Sequence, residues 1–187
     1  MTLVFMLEEP SMKAFLLGLL PRILPEGVPF RLISHEGKQD LERSIPRKLR
    51  AWQNPEARFV VVRDQDSGDC VEIKRHLERL CADAGRADTL VRIVCHELEA
   101  WYLADLRALD QAFGTRLAAQ QNRSKYRNPD RALVSPNREL KALVPGFGKV
   151  TGARALGPLV EVDNQRSPSF AHFVRGVRLL ASRRAGA

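Results

Sequence analysis

Acidic residues stand where each of four short apolar runs ends. Glu8 and Glu9 follow Leu3–Leu7, and His35 and Glu36 follow Val28–Ser34. Asp64, Gln65 and Asp66 follow the run from Phe59 to Val62, and His96, Glu97 and Glu99 follow Leu90–Cys95. If the runs are parallel strands of one sheet, their C-terminal ends open on a single rim, the edge where α/β proteins bind ligands. Carboxylates gathered there repel one another, raise each other's pKa and cost stability. A hard divalent cation removes that cost. Mg²⁺ takes oxygen ligands, usually one or two carboxylates together with water and substrate phosphate. The chemistry served by such a rim is phosphoryl transfer or phosphodiester hydrolysis. Glu97 and Glu99 also suit a helix first turn, where the dipole favours acids. That explanation fits Asp64 and Asp66 less well, because residues two apart in extended backbone point the same way.

The elements that must hold these acids are legible from periodicity. Met12, Phe15, Leu16, Leu19, Leu20 and Ile23 share one helix face, with Ser11 as the expected N-cap and Pro25 and Gly27 as stops. Leu41, Ile45, Leu49 and Trp52 continue at helical spacing, and Pro46 inside that pattern calls for a kink or a restart. Val71, Leu77, Leu80 and Cys81 mark another helix, and a further one begins near Glu97. Strands separated by helices make parallel βαβ units with right-handed crossovers. The expected fold is therefore an α/β layered, Rossmann-like domain over residues 1–105, its mainly parallel sheet flanked by helices, with a helical basic extension over 106–187 packed on it. Residues 114–131 are polar and aperiodic, and turn signals stand at Asn128-Pro129-Asp130 and Ser135-Pro136-Asn137. Ser167 and Pro168 open a last helix with Phe170, Phe173, Val174, Val177 and Leu180 as its buried stripe.

Charge divides the chain in two. Residues 1–113 carry a net −2 and residues 114–187 a net +10, which points to a polyanionic partner. A content of 44% hydrophobic and 28% charged residues over 187 positions suits a packed core and excludes intrinsic disorder. Cys70, Cys81 and Cys95 are spaced for neither a disulfide framework nor a zinc knuckle. No apolar run approaches a membrane span, and Glu8 and Glu9 break any leader-like stretch, so a cytoplasmic protein is expected. Gly146-Phe147-Gly148-Lys149 is not a phosphate loop, since Leu143 stands at the first glycine and Val150 at the Ser/Thr position. It reads as a turn into a helix, where Lys149 can meet a phosphate. The four histidines have no metal-ligand spacing, and His35 and His96 are rim neighbours of the acids.

Several blocks together carry a family likeness: Glu8, Gly37-Lys38-Gln39-Asp40-Leu41, Arg63-Asp64-Gln65-Asp66-Ser67-Gly68-Asp69-Cys70 and Glu97-Leu98-Glu99-Ala100-Trp101-Tyr102-Leu103. Lys149-Val150-Thr151-Gly152-Ala153 and Arg166-Ser167-Pro168-Ser169-Phe170 extend it to the C-terminal part. The chain resembles the bacterial Toprim-like proteins called domain of unknown function 4276. Toprim folds occur in topoisomerases, primases and small nucleases, and pair a Glu after the first strand with an Asp-x-Asp after a later one. The family pattern has Glu-Gly and then Thr-Glu at the first site. This chain has Glu8-Glu9, with Pro10-Ser11-Met12 where the second Glu would fall.

The resemblance implies a nuclease-like site in which Glu8, Asp64 and Asp66 hold Mg²⁺ or Mn²⁺. Glu97 and Glu99 would add a ligand or orient water. Lys149, Arg154, Arg166, Lys125 and Arg127 are the expected contacts to a DNA or RNA backbone. It further implies a role in mobile-element or phage conflict beside a separate ATPase subunit. The rival reading, favoured by Glu9 and Met12, is a module with a degraded site that binds a protein or nucleic acid. A third is a plain nucleic-acid binder that uses only the basic half.

Overall fold

A computed structural model describes residues 1–182. Its sheet has four parallel strands: β1 (Thr2–Leu7), β2 (Phe30–Ser34), β3 (Ala57–Asp64) and β4 (Leu90–Val94), in the order β2-β1-β3-β4. The connections are α1 (Pro10–Ile23), α2 (Lys38–Ala51) and α3 (Cys70–Asp83). From β1 the chain steps outward to β2, then crosses back over β1 to β3. Right-handed crossovers in opposite directions put their helices on opposite faces. Accordingly α1 packs with Leu3, Phe5, Leu7, Val60 and Val62, while α2 and α3 pack with Val4, Met6, Val61, Val91 and Ile93. The fold is the expected α/β arrangement of a parallel sheet flanked by helices.

The remaining helices are α4 (Glu99–Leu103), α5 (Leu106–Phe113), α6 (Ser124–Arg127), α7 (Pro129–Ala132), α8 (Pro136–Leu143), α9 (Lys149–Leu156) and α10 (Pro168–Ser182). They gather on the α1 face, and one continuous apolar cluster runs from Leu3 through Trp101 and Leu156 to Ala181. The predicted stripe of α10 is buried throughout. Its N-terminus is tied down by polar contacts. Ser167 Oγ accepts from the Phe170 N–H and donates to Asp130 Oδ1 at 2.7 Å, and Ser169 N–H donates to Asp130 Oδ2 at 2.7 Å. Trp101 Nε1 reaches the same cluster through Ser169 Oγ at 2.8 Å.

Four local expectations are corrected. Helix α1 starts two residues earlier than expected, with Glu9 at the N-cap and Pro10 in the first turn, so Ser11 lies buried inside the helix. Pro46 does not restart the helix: α2 runs unbroken from Lys38 to Ala51. Residues 114–131 contain a 3-10 turn (Ala118–Gln120) and α6, and Asn128 caps α7 through a hydrogen bond from Arg131 N–H. What reads as turn signal at Asn128-Pro129 and Ser135-Pro136 is a pair of helix starts with Pro at the first position.

Helix α9 lies against α1 at a contact stripped of side chains. A Cβ on Gly18 would lie 2.5 Å from Pro158 Cδ, and one on Gly157 would run into the carbonyl oxygen of Phe15. Gly157→Ala is expected to destabilise the fold by about 1–3 kcal/mol through overpacking. Urea denaturation measures this, and an unchanged midpoint would show that α9 can shift away from α1.

Candidate functional site

The strand order reverses between β1 and β3, the point at which such sheets form a ligand-binding crevice beyond the C-terminal strand ends. Glu8 and Asp64 flank it. Pairing of Leu7 with Val62 brings the two strand ends level. Glu8 N–H donates to the Val62 carbonyl at 3.2 Å, and Asp64 N–H donates to Glu8 Oε2 at 3.0 Å. The Glu8 carbonyl in turn accepts from Gly37 N–H at 3.0 Å, closing the loop after β2 over the same end.

Alternation along β3 sends Asp64 to the α1 and α4 side and Arg63 to the α2 and α3 side. Asp64 is only 5% exposed, and its Oδ1 has no hydrogen-bond partner. Burial pushes its pKa well up, and the charges of Glu8, Glu9 and Glu99 push further, against one backbone N–H from Leu98. Glu99 is 2% exposed. Its Oε1 accepts from Asn137 Nδ2 at 2.8 Å, while its Oε2 has no partner. Burial raises its pKa too, opposed by Lys149 and Asn137. Burial likewise raises Glu8, against the hydrogen bond from Asp64 N–H. The buried Tyr102 hydroxyl is also unpartnered, and its pKa is driven up by burial and by the charges of Glu99, Asp64 and Glu9.

Besides Arg63, 4.0 Å from Glu8, the C-terminal helices supply a cation against this charge. Lys149, first residue of α9, donates to both oxygens of Glu9 at 3.1 and 3.2 Å. Partial burial works against its charge, but Glu99 and Glu9 outweigh that and raise its pKa. Lys149 thus stands with the acids, apart from the other predicted backbone contacts. Lys125 pairs with Glu139 at 2.7 Å, Arg154 is exposed on α9, and Arg127 and Arg166 line a shallow depression with Glu161 and Asp163.

Two further predicted acids are engaged by other partners. Asp66 does not share the side of Asp64, because its φ is 55° and the chain turns left-handed there instead of staying extended. Its Oδ2 accepts from Lys38 Nζ at 3.0 Å. Glu97 accepts from Asn137 N–H at 2.7 Å. Among the described residues no group of three or more His, Cys, Asp or Glu side chains is arranged to hold a metal ion. His35 is buried, its Nδ1 at 2.8 Å from the Leu7 carbonyl and its Nε2 without a partner. His96 also has positive φ, at 58°. Its carbonyl accepts from Asp66 N–H at 2.8 Å and its N–H donates to Gln65 Oε1 at 3.2 Å, so the loops after β3 and β4 brace each other.

Sequence reasoning missed Asn137 and Tyr102. Asn137 lies 38 residues from Glu99 in the chain, and nothing local links them. Tyr102 had a usable signal: it follows Glu99 by three, which puts the two on one side of a helical turn.

In the folded chain these buried acids hold protons above the ordinary values of 3.8 for Asp and 4.5 for Glu, where the unfolded chain has lost them. Their contribution therefore makes stability fall as pH rises through that window. With chelator present, Asp64→Asn is expected to be more stable than the parent at neutral pH by about 1–3 kcal/mol, the range for a buried polar group without partners. The advantage shrinks as pH falls toward the ordinary carboxylate range. Urea midpoints across pH test this, and a destabilised variant at neutral pH would mean that the carboxylate is compensated.

No curated protein and no solved structure matches the chain. Residues 7–178 match a family described as a domain of unknown function, DUF4276, and the chain, with its paired acids at the β1 and β3 ends, belongs to that family.

Proposed function

We propose that the protein carries out divalent-metal-dependent phosphodiester chemistry on nucleic acid, at the crevice between β1 and β3. The observation that carries this reading is the pair of buried carboxylate oxygens without donors, Asp64 Oδ1 and Glu99 Oε2, on a rim that also holds Glu8 and Glu9. An acceptor-only group buried without a donor is costly, and a cation removes that cost. Mg²⁺ and Mn²⁺ suit the oxygen donors present, and Mg²⁺ commonly takes few protein ligands, leaving positions to water and substrate phosphate. Glu8 and Asp64 would hold the ion, with Glu99 behind them. When bound, the ion supplies Lewis-acid stabilisation of charge on the phosphate and acidifies water.

The protein's own groups have separate tasks. Glu8 couples the β1 end to the Asp64 backbone, which holds its carboxylate at the end of β3. Asn137 holds Glu97 and Glu99 from a distant helix. Lys149, swinging from Glu9, would reach the phosphate. A kinship with Toprim proteins is consistent with Glu8 after the first strand and Asp64 with Asp66 after the third, and places in this reading a role in mobile-element conflict beside an ATPase subunit.

One observation favours the rival, a binding module without catalysis. Lys149 already meets Glu9 and raises no need for a metal at that carboxylate. A calorimetric Mn²⁺ titration of metal-stripped protein separates the two. Saturable binding is expected for the parent and a loss of more than about a hundredfold in affinity for Asp64→Asn, beyond the usual effect of changing a group behind the ligands. Asp66→Asn, whose partner is Lys38, is expected to bind metal nearly as the parent does. Cleavage of single- and double-stranded DNA and RNA should require Mn²⁺ and fail in Asp64→Asn. Absence of Mn²⁺ binding, both alone and with nucleic acid present, would overturn the catalytic reading in favour of the module.

A further inference from the structure

The opposite side of β3 carries a second polar feature. Arg63, Arg75, His76 and Arg79 line a cleft of about 390 Å³ between β3 and α3, together with Ile73 and Glu72. Three guanidinium groups and an imidazole thus face one lining acid. The Arg63 side chain is nine-tenths buried at the floor. Its Nη1 donates to Glu42 Oε1 at 2.5 Å, but its Nε is without a hydrogen-bond partner, the nearest acid, Glu8 Oε2, lying 4.0 Å away. Glu42 is held on its other side by His76 Nε2 at 3.6 Å, so it is occupied with groups already in the cleft.

Arg75 and Arg79 are exposed and one helical turn apart. Like charges at that spacing disfavour the helix. Their neighbour Lys74 is paired with Glu78 at 3.6 Å, while neither Arg75 nor Arg79 has an acid within ion-pair distance among the described residues. A helix that keeps two unpaired arginines beside a buried third gathers the positive charge that a tetrahedral oxyanion needs. Guanidinium groups bind phosphate oxygens in pairs.

We propose that this cleft binds a phosphate group. The proposal requires no metal and stands apart from the reading of the acidic crevice. The shared chemistry comes from two sources: a free phosphate or nucleotide, and a phosphate of a nucleic-acid strand. Because Arg63 precedes Asp64 on the same strand, an occupied cleft lies just behind the crevice rim.

The test is calorimetry with inorganic phosphate at ionic strength held constant by chloride. Saturable binding is expected for the parent, weakened by about tenfold or more in Arg75→Gln/Arg79→Gln, which loses two charge-assisted partners. These are exposed helix positions, and each single variant, with circular dichroism to verify folding, provides the second measurement. Mn²⁺ binding by the double variant is expected to be unchanged, so failure here and failure of the metal site are read separately. Oligonucleotides of one sequence with a 5′-phosphate or a 5′-hydroxyl then distinguish the sources. Tighter binding of the phosphorylated strand, lost in the double variant, assigns a strand end. Equal binding of both, lost in the double variant, assigns backbone phosphate. Binding of inorganic phosphate without either strand effect assigns a small ligand. No phosphate binding above chloride, or binding unaffected in a folded double variant, overturns the proposal.

Discussion

The hydrogen bond from the Asp64 amide to the Glu8 carboxylate joins the ends of two strands that are distant in sequence and adjacent in the sheet. It exists because β1 pairs with β3 in a register that stops both at one level. A slip of one residue would turn Asp64 to the α2 and α3 side and Arg63 to the crevice, exchanging an acid for a base. The apolar alternation of Val60 and Val62 against Val61 forbids that slip, since both faces of the sheet are buried. The placement of the acids is therefore set by core packing.

Burial then decides how the acids behave. Asp64, Glu99 and Tyr102 lie beneath helices that enter the chain late, and this removes water from groups that are polar. Their pKa values rise for that reason first and through mutual repulsion second. Lys149 and Asn137 offset part of the cost from α9 and α8. The C-terminal helices are thus more than a basic surface: they close the α1 face and furnish Lys149 and Asn137 against the acids.

The two sides of β3 end in opposite chemistries. One side presents carboxylates and the other a guanidinium cluster, with Arg63 within 4.0 Å of Glu8 across the strand end. The positive-φ residues Asp66 and His96 stiffen the loops just beyond, through backbone contacts from one loop to the other. Non-glycine residues in that conformation carry a local cost that surrounding contacts must sustain. Here the cost accompanies loops cross-linked over a site where acids meet.

Much of the fold was legible before any coordinates, because period-two and helical patterns report burial directly. Phe59–Val62 reads as a strand and is one, and the α10 stripe from Phe170 to Leu180 reads as a buried helix face and is covered. The sequence by itself also determined that acids follow each apolar run, including Glu8 and Asp64. It did not determine which acids meet. Asp66 lies two residues from Asp64, yet a left-handed turn sends it to Lys38, a backbone choice that depends on the facing loop at His96. Lys149 reads as a phosphate contact and Asn137 as part of a turn, but contacts spanning 140 and 38 residues set them against Glu9 and Glu99. Spacing along a chain records only local geometry, and partners brought together by a shared core leave no local trace. Tertiary structure alone decided which carboxylates are buried, and burial made them costly.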